Sequence, residues 1–239
     1  MSRPYRVAVI TSDPYLPAIQ SLAWLIKRYW KNPPAAIVGG FSPPSFGLPR
    51  DWAFHSIGRF EDYPIDRWSD ALIGFLEAIP DPIVLLMLED MWPVQAVKGD
   101  IIDAAYEYIY GSPNVARFDL TSDRQFAGGA EVLGELMPGV GLVRSDPNSQ
   151  YHLSMMPAFW RTSWLLKALR RGETPWQTEL SGTPRLAKMK AAHVYGTDAL
   201  PLKVTLAFRG GDNRALLLNE IDSGVVEQMD KSGLFDWVY

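Results

Sequence analysis

Pro82-Ile83-Val84-Leu85-Leu86-Met87-Leu88-Glu89-Asp90 is the stretch on which the reading of this chain turns. Six consecutive apolar residues between a proline and an acidic pair suit a strand covered on both faces, as in the middle of a parallel sheet with helices packed on it. Ligands of an open α/β sheet collect beyond the carboxyl ends of its strands. Glu89 and Asp90 therefore lie where a site is expected.

The surroundings repeat the pattern. Arg6 to Thr11 (RVAVIT) is a short β-branched run, and Ala18 to Trp30 follows with Ile19, Leu22, Leu25, Ile26 and Tyr29 on one helical face. Ala35 to Val38 reads as a second strand closed by Gly39-Gly40, and after a Pro- and Gly-rich stretch a helix is expected from about Trp68 to Ala78. A further helix, Ile101 to Tyr110, stops at Gly111. Strand and helix signals alternate, so the class is α/β. Ala116–Leu120, Gly141–Arg144, Leu153–Trp160 and Lys203–Phe208 read as shorter strands, some of them antiparallel. No repeat or linker divides the 239 residues, and one domain over 1–239 is expected, with a nucleotide-binding half to about 110 and an acceptor half beyond it.

Composition excludes several chemistries. The absence of cysteine rules out disulfides, thiolate metal sites and thiol nucleophiles, so any metal must take oxygen or imidazole ligands. The longest apolar run is far short of the roughly 20 residues of a membrane helix, and the N-terminus has no secretory hydrophobic region; a cytoplasmic protein with no integral membrane segment is expected. Net charge is −4, yet Arg161 to Lys190 carries seven Lys/Arg against Glu173 and Glu179, a local excess suited to a polyanion, a diphosphate or simply a solvated helix face. No G-x-G-x-x-G follows the first strand. Gly134 and Gly139 have P-loop spacing, but Val140 stands where Lys is required. H-E-x-x-H and G-x-S-x-G are also absent.

Carboxylates at the end of a strand could hold Mg²⁺ or Mn²⁺ against the two phosphates of a nucleotide diphosphate. Strand alternation puts Leu88 and Asp90 on one face and Glu89 on the other unless the chain turns directly after Leu88. Asp90 is then the ligand and Glu89 its support. The structural alternative is that the pair only ends a strand and caps the turn before Pro93.

Several separate pieces, in this order, resemble small bacterial and phage glycosyltransferases of the GT-A fold, family-2-like enzymes acting on surface polysaccharides and related acceptors. They are the first strand running into Thr11-Ser12-Asp13, Arg67-Trp68-Ser69-Asp70 at the head of a helix, Leu88-Glu89-Asp90 in place of a D-x-D-like triplet, the block from Met155 to Gly182 with its PAFW and PWQTE, and Arg209-Gly210-Gly211. The likeness spans roughly residues 5 to 215. It implies a Rossmann-like, mixed but mainly parallel sheet with helices on both faces, and a nucleotide-sugar donor such as a UDP-sugar.

The resemblance also implies roles. Thr11, Ser12 and Asp13 would touch the nucleoside, with Arg67, Asp70, Glu89 and Arg209 completing the donor site. Asp90 would bind metal and diphosphate, with Glu89 and His193 as further metal candidates. Glu179 would be the general base that deprotonates an acceptor hydroxyl for displacement with inversion, its pKa raised by burial beside Trp176. Trp160 and Trp176 would stack on the acceptor, or else lie in the core. His152 and His193 are possible metal or phosphate contacts, though isolated histidines commonly serve structure. Leu88 at the first triplet position leaves two carboxylates rather than three, which puts metal dependence in question.

A saccharide is the expected acceptor. The basic segment leaves room for a nucleic-acid acceptor, such as a hydroxylated base of phage DNA flipped from its stack, against which the acidic overall charge weighs. Two other classes compete. A nucleotidyltransferase would carry a Gly-rich, Arg-containing loop where this chain has TSDPYLP, and a noncatalytic nucleotide- or carbohydrate-binding module would be indifferent to loss of Glu179.

Overall fold

The computed structural model describes residues 3–122, 124, 128–208 and 216–238. A nine-stranded sheet runs in the order β3 (Trp52–Ser56), β2 (Ala36–Gly40), β1 (Val7–Ile10), β4 (Ile83–Leu88), β9 (Ala158–Arg161), β6 (Val115–Asp119), β10 (His193–Thr197), β8 (Val140–Arg144), β7 (Glu131–Met137). At its centre β4 (Ile83–Leu88) pairs in parallel with β1 (Val7–Ile10) and antiparallel with β9 (Ala158–Arg161). The apolar run of β4 has a direct cause in the packing. Ile83, Leu85 and Met87 enter one core, whereas Val84 and Leu86 enter the other. Burying each such side chain contributes about 1.5–3 kcal/mol, so a polar residue on either face would be costly.

Helices cover both faces. α1 (Ala18–Tyr29) and α3 (Gly99–Gly111) supply Leu22, Leu25, Ile102 and Ile109 to the first core. α2 (Trp68–Ala78), α4 (Thr162–Ala168) and α5 (Pro175–Ala187) supply Leu72, Phe75, Leu165 and Leu186 to the second. The architecture is α/β, with a mixed, mainly parallel sheet between helices. Strands from both sequence halves join this one sheet.

Most of the expected elements lie where the sequence puts them, and the departures have physical reasons. Gly39 and Gly40 do not close β2 (Ala36–Gly40) but belong to it, paired with His55 and Ser56 of β3, and position 39 has no room for a side chain because a Cβ there would meet the Phe75 ring at 2.6 Å. The expected strand over Leu153–Trp160 begins only at Ala158, because the backbone before it is tied to side chains instead of a neighbouring strand. Leu153 N–H donates to Thr183 Oγ1 (3.1 Å), and Met155 N–H donates to Glu179 Oε1 (2.6 Å). β10 (His193–Thr197) and the exposed edge strand β7 (Glu131–Met137) have no counterpart in the sequence reading, nor has α6 (Ser223–Lys231). β8 (Val140–Arg144), one of the four shorter strands among which some antiparallel ones are expected, is antiparallel to both β7 and β10. β5 (Met91–Pro93) forms a separate two-stranded sheet with β11 (Val204–Leu206). No helix among the described residues is long and apolar enough to cross a membrane.

Candidate functional site

Registers fix which edge of the sheet is the carboxyl edge. β1, β2 and β4 run in parallel, β9 opposes both β4 and β6 (Val115–Asp119), and β10 is parallel to β6. The ends of β1, β4 and β6 therefore lie on one side, and a cleft of about 940 Å³ opens there. Thr11 and Ser12, Glu89 and Asp90, and Trp176 and Glu179 all line it. Three stretches far apart in sequence are brought to one cavity.

The β1 side is built by a short 3₁₀ turn, Asp13–Tyr15, entered through Ser12. Pro14 in its first turn suits this, because its fixed φ fits helical backbone. Asp13 does not line the cleft. Its carboxylate accepts the Ser42 amide (2.9 Å) and hydroxyl (2.5 Å), tying the loop after β1 to the loop after β2. Tyr15 stacks on Phe208 with ring centres 5.1 Å apart, and both rings reach the cleft.

In the middle, the chain turns directly after Leu88, so the strand alternation expected to separate Glu89 from Asp90 does not apply. Both reach the cavity. The turn is pinned by three hydrogen bonds from two residues: Trp92 N–H and Ala207 N–H donate to the Asp90 carbonyl at 3.1 and 2.7 Å, and the Trp92 indole donates to the Glu89 carbonyl at 2.9 Å. The carboxyls are less well provided for. Asp90 Oδ1 is shielded from solvent and has no hydrogen-bond partner among the described residues. Desolvation pushes Asp90 up to about 6, and desolvation together with the Asp90 charge holds Glu89 well above the usual carboxylate range. Two adjacent carboxyls that resist ionisation are a fitting place for a divalent cation carrying ligand phosphates, since such an ion takes one or two protein carboxylates. No group of three or more His, Asp or Glu residues able to hold a metal occurs among the described residues.

The third side comes from α5 and two loops. Thr174 caps α5 by accepting from Gln177 N–H, and the Gln177 side chain returns the bond to Thr174 N–H; this box, with Pro175 in the first turn, fixes where Trp176 and Glu179 emerge. Trp176 is 66% exposed. One Glu179 oxygen receives the Met155 amide, which orients the carboxylate. Opposite, Arg124 lines the cleft from the segment after β6 although its side chain is 1% exposed. Its Nε lies 3.4 Å from Asp119, and its terminal nitrogens donate to Ser145 Oγ (2.9 Å) and the Tyr151 carbonyl (2.8 Å). Tyr151 also lines the cleft, with φ +52°. Arg124 and Tyr151 lie in segments that matched no motif, so the sequence reading passed over both. Thr174 had a legible signal in its T-x-x-Q spacing.

The remaining candidates among the described residues do not line the cleft. Asp70 is buried and bound by Arg67 (2.9 Å) and Arg171 (3.2 Å), an arrangement that joins α2 to the loop before α5. Trp160 is wholly buried in β9 under the Arg117 guanidinium, so its ring is closed to an acceptor and the core alternative holds. His193 opens β10 beside Val115, at the start of a strand whose end points to the carboxyl edge, and so lies at the opposite edge from Asp90. His152 is buried against Ser145, with its pKa driven down to about 4 by desolvation and by Arg124 and Arg117. Arg209 lies outside the described residues. Much of the expected basic face is consumed internally. Arg161 caps the end of α3 at the Ile109 and Ser112 carbonyls, Arg185 forms a two-bond pair with Glu173 (2.7 Å each), and Arg170 bonds backbone carbonyls.

No family model matches the sequence, and no curated protein matches it. Solved structures with a similar course of chain include S. aureus TarS 1-349, with 13% identity and a TM-score of 0.49 over 84% of this chain. This chain spans 60% of the length of that one. A UTP-bound UGPase from Acinetobacter baumannii has 7% identity and a TM-score of 0.47 over 98% of this chain and 94% of that one. A UDP-glucose pyrophosphorylase complexed with UDP-glucose has 8% identity and a TM-score of 0.43 over 86% and 92%. At such identities and TM-scores these likenesses bear on no residue and no activity of this chain.

Proposed function

We propose that this chain is a GT-A-type glycosyltransferase that moves a sugar from a nucleotide-diphosphate donor to a hydroxyl of a saccharide acceptor. The observation that carries the reading is the convergence of Thr11-Ser12, Glu89-Asp90 and Trp176/Glu179 on one cleft at the carboxyl edge of the sheet. The nucleoside would lie over Thr11 and Ser12, and the diphosphate would reach the acidic pair. A divalent cation held there by Asp90 and Glu89 would neutralise the charge that grows on the leaving diphosphate. Glu179, held by the Met155 amide, would take the proton of the attacking hydroxyl, which directs attack opposite the leaving group and inverts the anomeric centre. Trp176 offers an exposed ring beside it for the acceptor.

A flipped base of DNA would be a less natural acceptor. Arg161, Arg171 and Arg185 of the basic segment are committed to carbonyls and carboxylates of the chain itself, leaving fewer cations for phosphates. A thermal-shift screen of nucleoside diphosphates with and without Mn²⁺ is the first test, and failure of every one to stabilise the protein would sink the reading. Product analysis with UDP-sugars against UTP plus a sugar phosphate separates transfer from nucleotidyl chemistry. Glu179→Gln should lower turnover about 10²-fold or more while donor affinity holds; unchanged turnover would remove the assigned base.

A further inference from the structure

Four of the exposed large apolar side chains share one place: Ile65, Tyr151, Trp176 and Leu206, each 47–66% exposed, all open onto the cleft. Scattered exposed apolar residues need no explanation, but a group around one cavity marks a ligand with an apolar face. Tyr151 differs from the others in its backbone. Among the described non-glycine residues only Asn32 and Tyr151 have positive φ, and asparagine tolerates the left-handed region whereas a bulky aromatic residue does not. Such strain persists only where the surroundings over-determine it, and it gathers at ligand sites.

The surroundings here are a buried polar frame. The Asp119 carboxylate accepts Thr121 N–H (3.0 Å) and hydroxyl (2.8 Å) and faces Arg124, and Arg124 in turn donates to Ser145 and to the carbonyl of Tyr151 itself. The end of β6 is thus linked through one guanidinium to the strained residue. Tyr151 belongs to the loop after β8, on the far side of β4 from Thr11 and Ser12, so its ring serves the arm of the cleft away from the nucleoside.

We propose that Tyr151 is a specificity-determining residue of the acceptor arm, its ring a platform for the apolar C–H face of a pyranose, with Arg124 as the positioning residue that holds it there. The proposal rests on the sugar-transfer reading above. A pyranose suits the surroundings because its hydroxyl rim would meet Gln150 and Ser154, which line the same arm, while its C–H face meets the ring.

The test is saturation-transfer NMR on the full chain. The probe is a mixture of the methyl β-pyranosides of glucose, galactose and N-acetylglucosamine, with UDP present and its own signals followed in the same samples. Wild type should transfer saturation to the ring C–H protons of at least one pyranoside. Tyr151→Ala should weaken that transfer by roughly three- to tenfold, the size of one aromatic contact, and leave UDP unchanged. Tyr151→Phe should retain it, and Arg124→Lys should weaken it without moving UDP. Silence from all three pyranosides with wild type, or equal transfer with Tyr151→Ala, overturns the proposal. Absence of UDP signals alone would count against the sugar-transfer reading, and the pyranoside comparison would still decide the role of Tyr151.

Discussion

The two arms of the cleft are built by different physics. On the β1–β4 side, Thr11, Ser12, Glu89 and Asp90 sit at the ends of adjacent parallel strands, so the ladder places them, with the Trp92 indole and the Asp13 carboxylate fastening the two turns. On the far side, Tyr151, Met155 and Glu179 come from two loops and a helix, held by the Arg124–Asp119 pair, by one amide–carboxylate bond and by a capping box. The first arm rests on strand pairing over four residue pairs. The second depends on a few individual polar contacts, of which the Arg124–Asp119 pair is buried.

The largest expected effect is chemical and lies at the junction of the arms. Asp90→Asn should lower sugar transfer by about 10²–10³-fold, as for loss of one charge-stabilising group, with the fold intact by circular dichroism. Retained activity would move the site elsewhere. On the far arm, Arg124→Met should cost about 3–5 kcal/mol in urea unfolding, because it leaves Asp119 buried with one partner fewer. A loss below 1 kcal/mol would mean that the frame is not what holds this arm.

A smaller effect depends on pH. The folded chain holds Asp90 at about 6 against an ordinary 3.8, so as pH rises the unfolded chain ionises first and the folded state loses stability across that interval. Asp90→Asn should therefore stabilise the protein by on the order of 2 kcal/mol at pH 7.5 and by little at pH 4. Glu89 acts in the same direction at higher pH. Equal melting temperatures for variant and wild type at both pH values would show that the carboxyl is not desolvated. The smallest effect is at the cap, where Thr174→Ala should cost about 1 kcal/mol by thermal unfolding.

This division also explains what could be read from the sequence. β1, β4, α1 and α2 were legible because burial on one or both faces writes itself into apolar periodicity, and Glu89-Asp90 was legible because a strand end carries it. The separation of Glu89 from Asp90 by alternation failed because the strand stops at Leu88. Trp160 and His193 looked like site residues since residue type alone does not say which edge of a sheet a side chain serves; topology does. Tyr151 left no trace. A left-handed tyrosine is made by a guanidinium 27 residues away in sequence, a contact that no local pattern encodes. The exposed strand β7 escaped for the converse reason, since its first five residues are exposed on both faces and no alternation of burial is selected there.

Calorimetric titration of UDP into the wild-type chain and into Asp90→Asn, with Mn²⁺ present, tests the central claim most directly. Measurable binding to wild type that weakens about tenfold or more in the variant is the predicted result. Equal affinity in the two proteins, or no nucleotide binding by a folded wild-type chain, would contradict a sugar-nucleotide site at the end of β4.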